Sequence, residues 1–253
     1  MFASFMVYLL FFTRISIPYE IKNFEKSYKQ GVWLLPIFGF VYAVLPASVY
    51  LLFLYLLKDI SLAWILSIVS DIMLTGALHY DGIADMADGI FSGRSKERMK
   101  EIMRDSRIGS FGTLALLSYI LILHLAGVNL LDEFLEPYMQ ALVICGLFAV
   151  GKAGMTFLLI NYKYANSEGQ GKIAEGISPI LIAIAQVISL LIIYFIFAWS
   201  GVLAYIATLL FLELYKLFIT KKIDGMTGDT LGAGSALSIP IFILVYLIIN
   251  NFI

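Results

Sequence analysis

The chain has little of what a water-soluble globule needs. Charged residues make up 14% of its 253 positions and apolar residues 61%, against an apolar share of about 45–50% in soluble domains. A soluble fold is excluded on that ground. The single cysteine, Cys145, lies inside an apolar run, so there is neither a disulfide framework nor a cysteine metal site. No internal repeat, low-complexity tract or dividing linker interrupts residues 1–253, which read as one membrane domain. Met1 to Thr13 lack the basic start and small-residue cleavage site of a signal peptide. That segment reads as a short interfacial or partly inserted helix, with an eighth span as the alternative.

What the chain has is long apolar runs. Seven of them, near 32 to 57, 59 to 80, 111 to 131, 139 to 160, 177 to 199, 201 to 219 and 232 to 253, approach or exceed the roughly 20 residues that span a bilayer as a helix. Backbone groups in lipid must bond internally, and the runs are continuous where barrel strands would alternate. The expected fold is therefore all-α, a polytopic integral membrane bundle of about seven transmembrane helices. Of the 17 Lys and Arg residues, Lys152 and Lys216 fall within spans and Lys58 lies in one set of loops. All the others lie in the opposite set, which the positive-inside rule assigns to the cytoplasm. The net charge of −1 says less than this asymmetry. The lipid bilayer is an expected partner and nucleic acid is not.

Three aspartates, Asp81, Asp85 and Asp88 in H-Y-D-G-I-A-D-M-A-D-G, fall within an arc of about 60° on a helix at the end of the second span. Carboxylates sharing one face repel unless a cation lies between them, and their oxygens suit hard divalent ions such as Mg²⁺. Mg²⁺ held in this way commonly acts on phosphate groups. The loop from 81 to 112 continues through Ser95, expected to cap a short helix ending near Asp105, with Met99, Ile102 and Met103 as its apolar stripe. Arg94, Arg98, Arg104 and Arg107 supply forked donors for phosphate oxygens, although basic loops also arise from topology or anionic lipid contact. Asp105 is a candidate fourth carboxylate. Gly82, Gly89 and Gly93 either end the helix or give a ligand room.

A second constellation, I-D-G-M-T-G-D-T-L-G-A at 223 to 233, offers Thr227, Asp229 and glycine-rich backbone donors for an anion, or simply a polar turn before the last helix. Ionisable residues within spans suggest function. Lys152 and Asp71 are candidates for an ion pair or for substrate contact, while Glu213 and Lys216 are expected to pair with each other. His79 lies about 160° around the helix from Asp81, a position suited to hydrogen bonding more than to the same metal. His124, alone in an apolar span, reads as structural.

The run T-G-A-L-H-Y-D-G-I-A-D-M-A-D-G at 75 to 89, with I-M-R-D-S-R-I-G-S-F-G at 102 to 112, closely resembles the cobalamin synthase family, the adenosylcobinamide-GDP ribazoletransferases. The likeness extends to F-F-T-R-I-S-I-P at 11 to 18, Y-A-N-S-E-G-Q-G at 164 to 171 and T-G-D-T-L-G-A at 227 to 233. It implies a Mg²⁺-dependent cell-membrane transferase, its active site facing the cytoplasm, joining adenosylcobinamide-GDP to α-ribazole or α-ribazole 5′-phosphate with release of GMP. Metal and diphosphate binding then fall on Asp81, Asp85 and Asp88. Asp105 and Arg107 join these as catalytic residues, and His79, Arg94, Arg104, Ser106, Lys152, Thr227 and Asp229 as substrate-binding ones. The chain departs from the family pattern at Asn166 and Lys152, where arginine is expected, and after L-G-A, where Ser235 and Ala236 replace an expected acid. A second copy of the chain or other enzymes of the pathway stand as further partners. Two other classes place spaced aspartates at helix ends around a diphosphate, the CDP-alcohol phosphotransferases and the intramembrane prenyltransferases. A cation transporter would set its acids near mid-membrane, where only Asp71 lies.

Overall fold

A computed structural model describes residues 1–18, 21–166 and 169–252. Among them the chain forms helices α1 (Phe2–Phe12), α2 (Phe24–Gln30), α3 (Leu35–Tyr42), α4 (Val44–Leu57), α5 (Ile60–Thr75), α6 (Leu78–Ile90), α7 (Lys96–Ile102), α8 (Ser110–Asp132), α9 (Pro137–Leu158), α10 (Pro179–Ile223) and α11 (Gly228–Phe252). Of the motif at 164 to 171, Ser167 and Glu168 lie outside the described residues.

Five helical stretches are long and apolar enough to cross a membrane, including Val32–Leu57, which joins α3 and α4. One of the five, α10, is 45 residues long. Straight, it would extend about 67 Å, more than twice the roughly 30 Å hydrocarbon core. It does not run straight. Ala198 sits at φ 51°, ψ −151°, and Tyr205 Oη donates to Gln186 Oε1 at 2.6 Å, closing a separation of about 28 Å along a continuous helix. The chain therefore turns back at Ala198, as the separate runs at 177 to 199 and 201 to 219 require.

The second predicted span ends earlier than expected. Gly76 and Ala77 both adopt positive φ, at 64° and 63°, a conformation glycine reaches freely and alanine only at a cost. These two residues turn α6 by 87° from α5. His79 and Tyr80 consequently belong to α6, beyond the bend, together with all three aspartates. Arg14 reinforces the turn by donating its backbone N–H to Leu74 O at 2.8 Å.

At the centre stands α9, buried along nearly its whole length and packed against α3, α4, α10 and α11. Apolar burial gives helices no preference for one another in lipid, so close approach over small residues decides the pairing. Gly154 faces Ser238 and Leu212, and Gly151 faces Ser235 and Ile239. On α6, Gly82 and Gly89 lie within the helix and do not end it. A Cβ on Gly82 would come within 2.7 Å of Asp229 O, and one on Gly89 within 2.8 Å of Met99 O. Both glycines thus serve helix contact.

The N-terminal α1 packs on the bundle through buried Val7, Tyr8 and Phe12, and Tyr8 Oη donates to Tyr28 O at 2.7 Å. Ser95 caps α7, accepting from Arg98 N at 3.4 Å, and α7 ends at Ile102, before the expected Asp105. Lys216 does not form the expected pair with Glu213. Its ammonium donates to Ile160 O just beyond α9, where a helix end leaves carbonyls without intrahelical partners. His124 Nε2 lies 3.1 Å from Ser61 Oγ.

Cross-links gather the loops into two ends. Lys96 meets Asp224 at 2.5 Å, Lys100 donates to Ala165 O, and Ala165 N bonds Met226 O at 2.9 Å, so the 94–109, 163–166 and 223–228 segments share one end. Asn250 donates to Glu133 at 3.0 Å, which puts the last turns of α11 beside the 132–137 loop at the other.

Candidate active site

The site forms where α6 crosses the start of α11. The second constellation is rigidly built. Thr227 N donates to Thr230 Oγ1 at 2.8 Å and Thr230 N to Thr227 Oγ1 at 3.2 Å, a reciprocal cap that starts α11 with Asp229 in its first turn. Because Gly82 lets α6 approach the Asp229 backbone, the carboxylate of Asp229 joins those of α6.

The result is a concentration of negative charge. Among the described residues, Asp81, Asp85, Asp88 and Asp229 form no ion pair. Half-buried Asp85 is pushed up to about 7, first by loss of water and then by the charges of Asp81, Asp229 and Asp88. The three α6 aspartates share a face, as their spacing predicts, but their carboxylates do not meet at one point. Among the described residues, no three acidic or histidine side chains stand close enough together to hold an ion. Asp88 is drawn away, because its two oxygens accept from Gly109 N at 2.6 Å and Gly112 N at 2.8 Å. These are unpaired amides of the α8 N-terminus, a favoured place for a carboxylate. As a donor set, the uncompensated oxygens of Asp81, Asp85 and Asp229 suit a hard divalent cation.

Asp85 also has a consequence for stability. The folded protein holds this proton more tightly than an unfolded chain, whose carboxylate titrates near 3.8. Asp85 therefore adds stability that is complete below about pH 4 and lost as pH rises through about 7. Thermal unfolding of metal-free protein in detergent is expected at a lower temperature at about pH 8 than at about pH 5.5. Asp85→Asn should narrow that difference, and an unchanged difference would remove Asp85 as its source.

Beside the acids opens a cavity of about 300 Å³, whose walls include His79, Lys100, Arg104, Asn166, Thr227 and Asp229. Two sets of candidate residues far apart in the chain thus reach one space. Arg104 also acts electrostatically on Asp229. The cavity does not include Arg94, Asp105, Ser106, Arg107 or Lys152. Arg94 and Ser106 are exposed, and Arg107, 87% exposed, donates to Asp105 at 2.6 Å. Those bonds hold Asp105 down at about 2. Lys100 and Tyr28 also line the cavity and did not stand out in the sequence, whereas Gly232, which lines it too, belongs to the glycine-rich constellation at 223 to 233. Phe11 and Phe12 line it as well, within the F-F-T-R motif.

Lys152, only 2% exposed, borders a separate internal cavity of about 30 Å³ that it shares with Asp71 and His79. It forms no ion pair with Asp71 among the described residues. Instead its Nζ lies 2.5 Å from His79 Nε2, while Tyr80 and Tyr42 donate to Asp71 at 3.2 and 3.4 Å.

Fold and site together define a polytopic helical membrane protein with an acidic cluster beside a cavity that Lys100, Arg104, Thr227 and Asp229 line at one end of the bundle. Comparison with known proteins supplies the particular family. Residues 4–247 match the cobalamin-5-phosphate synthase family model, and the chain belongs to that family. It is 37% identical to the adenosylcobinamide-GDP ribazoletransferase of Clostridium novyi, with 96% of each chain covered. It is 38% identical to that of Listeria monocytogenes, over 96% of this chain and 98% of the relative. Against that of Clostridium botulinum the figure is 34%, over 97% and 98%. No solved structure matches. The chain is a transferase of cobalamin synthesis, which sets aside the transporter and the other two transferase classes.

Proposed function

We propose that this enzyme joins adenosylcobinamide-GDP to α-ribazole or α-ribazole 5′-phosphate, giving adenosylcobalamin or its 5′-phosphate and GMP, with Mg²⁺, on the cytoplasmic side of the cell membrane. The relatives' names support the substrates. One observation supports this location for the chemistry: Asp229 joins Asp81 and Asp85 beside the cavity that Arg104 and Thr227 line. The basic loops at this end support the cytoplasmic orientation.

In this reading one or two of Asp81, Asp85 and Asp229 would hold the ion beside the phosphate groups, as is usual for Mg²⁺, and Asp88 fixes the start of α8 against α6. Bound there, Mg²⁺ would neutralise charge on the diphosphate. Arg104 and Lys100 hold phosphate oxygens from the cavity wall, and Thr227 offers a hydroxyl. The substrate is positioned for in-line attack on the cobinamide-side phosphorus by a ribose hydroxyl of ribazole, with cleavage of the P–O bond to GMP. Since the 5′-phosphate is one of the two acceptors, this hydroxyl is not the 5′ one. Its proton passes to a carboxylate of the acidic face, and Asp105, held at about 2, is a weak base for the task. Positioning carries most of the rate, as in other phosphoryl transfers.

Proteoliposomes supplied with adenosylcobinamide-GDP and either acceptor are expected to release GMP and form the corrinoid product, followed by chromatography. Chelation should stop the reaction and Mg²⁺ restore it. Absence of product with both acceptors would refute the substrate assignment, and turnover undiminished by chelator would refute the metal.

A further inference from the structure

His79 bridges two spaces, since it lines both the 300 Å³ cavity and the small internal one. Its ring is fixed from both sides. Phe12 packs against it edge-on at 5.7 Å, and the Lys152 ammonium lies 2.5 Å from Nε2 and 3.9 Å above the Phe12 ring. The lysine stem reaches this point along α3, where Gly39 leaves it room: a Cβ there would come within 2.8 Å of Lys152 Cγ. At the other edge of the ring, Nδ1 is buried and has no hydrogen-bond partner. It faces Gly232 of α11, where even a Cβ would stand only 3.2 Å away.

With Lys152 as the ammonium, which carries donors and no acceptor, Nε2 receives the bond and the imidazole proton sits on Nδ1. A buried N–H without an acceptor is uncommon in folded proteins. This one belongs to a residue lining the cavity that also holds Arg104, Thr227 and Asp229.

We infer that Lys152 is a positioning residue that sets the tautomer of His79, so that Nδ1–H donates a hydrogen bond to a phosphate oxygen of the substrate. The inference rests on the proposed function for the identity of that substrate. Lys152 then acts through His79 and does not itself touch the substrate.

The test compares variants that keep or remove each donor, with the Kd of adenosylcobinamide-GDP measured by calorimetry in detergent and KM and kcat in proteoliposomes. Asn at position 79 places its amide N–H near Nδ1, whereas Gln places it near Nε2. His79→Asn is expected to bind within about threefold of wild type and His79→Gln about tenfold or more weakly, the loss of one hydrogen bond to a charged group. Lys152→Met should raise Kd and KM by a similar factor with kcat little changed, and Lys152→Arg should restore both. In the His79→Asn background, which has no tautomer to set, Lys152→Met should add nothing. Equal binding by His79→Asn and His79→Gln, or a full Lys152→Met effect in the His79→Asn background, would overturn the inference. Failure of folded wild-type protein to bind adenosylcobinamide-GDP would instead refute the proposed substrate.

Discussion

Asp85→Asn is expected to lower kcat about 10²–10³-fold, the scale seen when one preorganised electrostatic contact to a transition state is removed, and at the same time to stabilise the metal-free protein. The two effects have one cause. Asp85 is held near neutrality by burial and by the charges of Asp81, Asp229 and Asp88, so an amide relieves repulsion that folding must otherwise sustain. Asparagine keeps the shape but cannot answer a divalent cation in the same way. A gain in stability with a loss of activity is the signature of a residue kept for function. GMP release in proteoliposomes measures the first effect and thermal unfolding in detergent at about pH 8 the second. Wild-type turnover in this variant would remove the acidic cluster from the chemistry. A large loss of stability would show that the carboxylate has a structural partner instead.

Asp88→Ala should behave in the opposite sense, losing stability first. Its two oxygens hold the amides of Gly109 and Gly112, and each hydrogen bond to a charged group contributes about 1.5–3 kcal/mol. A destabilisation of about 2–4 kcal/mol is expected, since water reaches the half-buried site and replaces part of what is lost. Gly112→Ala offers an independent check. Its Cβ would collide with the Asp88 carboxylate and come within 2.9 Å of Ala84 O, forcing α8 away from α6. Overpacking of this kind costs about 1–3 kcal/mol. Thermal unfolding and limited proteolysis between α7 and α8 would report both changes. If Asp88→Ala proved as stable as wild type but as inactive as Asp85→Asn, Asp88 would belong with the ion-binding acids and not with the α8 cap.

Much of the fold was legible because the bilayer leaves a chain few choices. Every long apolar run became helix, and the break at Ala198 falls at the end of the first of the two runs that span length had separated. The end of the second span was misread because hydropathy continues through Gly76 and Ala77, whereas the turn there is made by backbone conformation. Within the site, periodicity correctly placed Asp81, Asp85 and Asp88 on one face. It gave no account of Asp88, whose fate depends on amides at the start of α8. Asp105 and Arg107 show the limit of proximity in sequence, since they satisfy each other across two residues and leave the cavity to Arg104.

Composition and periodicity by themselves determined that this is a helical membrane protein with an anionic face at a span end, because hydropathy and helical spacing are properties of single segments. Its motifs carried the family. Only the tertiary structure decided that Asp229 would join Asp81 and Asp85, that Asp88 would cap α8, and that Lys152 would meet His79 instead of pairing with Asp71. In lipid, apolar burial does not select which helix faces meet; that choice falls to close contacts such as Gly82 against α11, made between residues far apart in the chain.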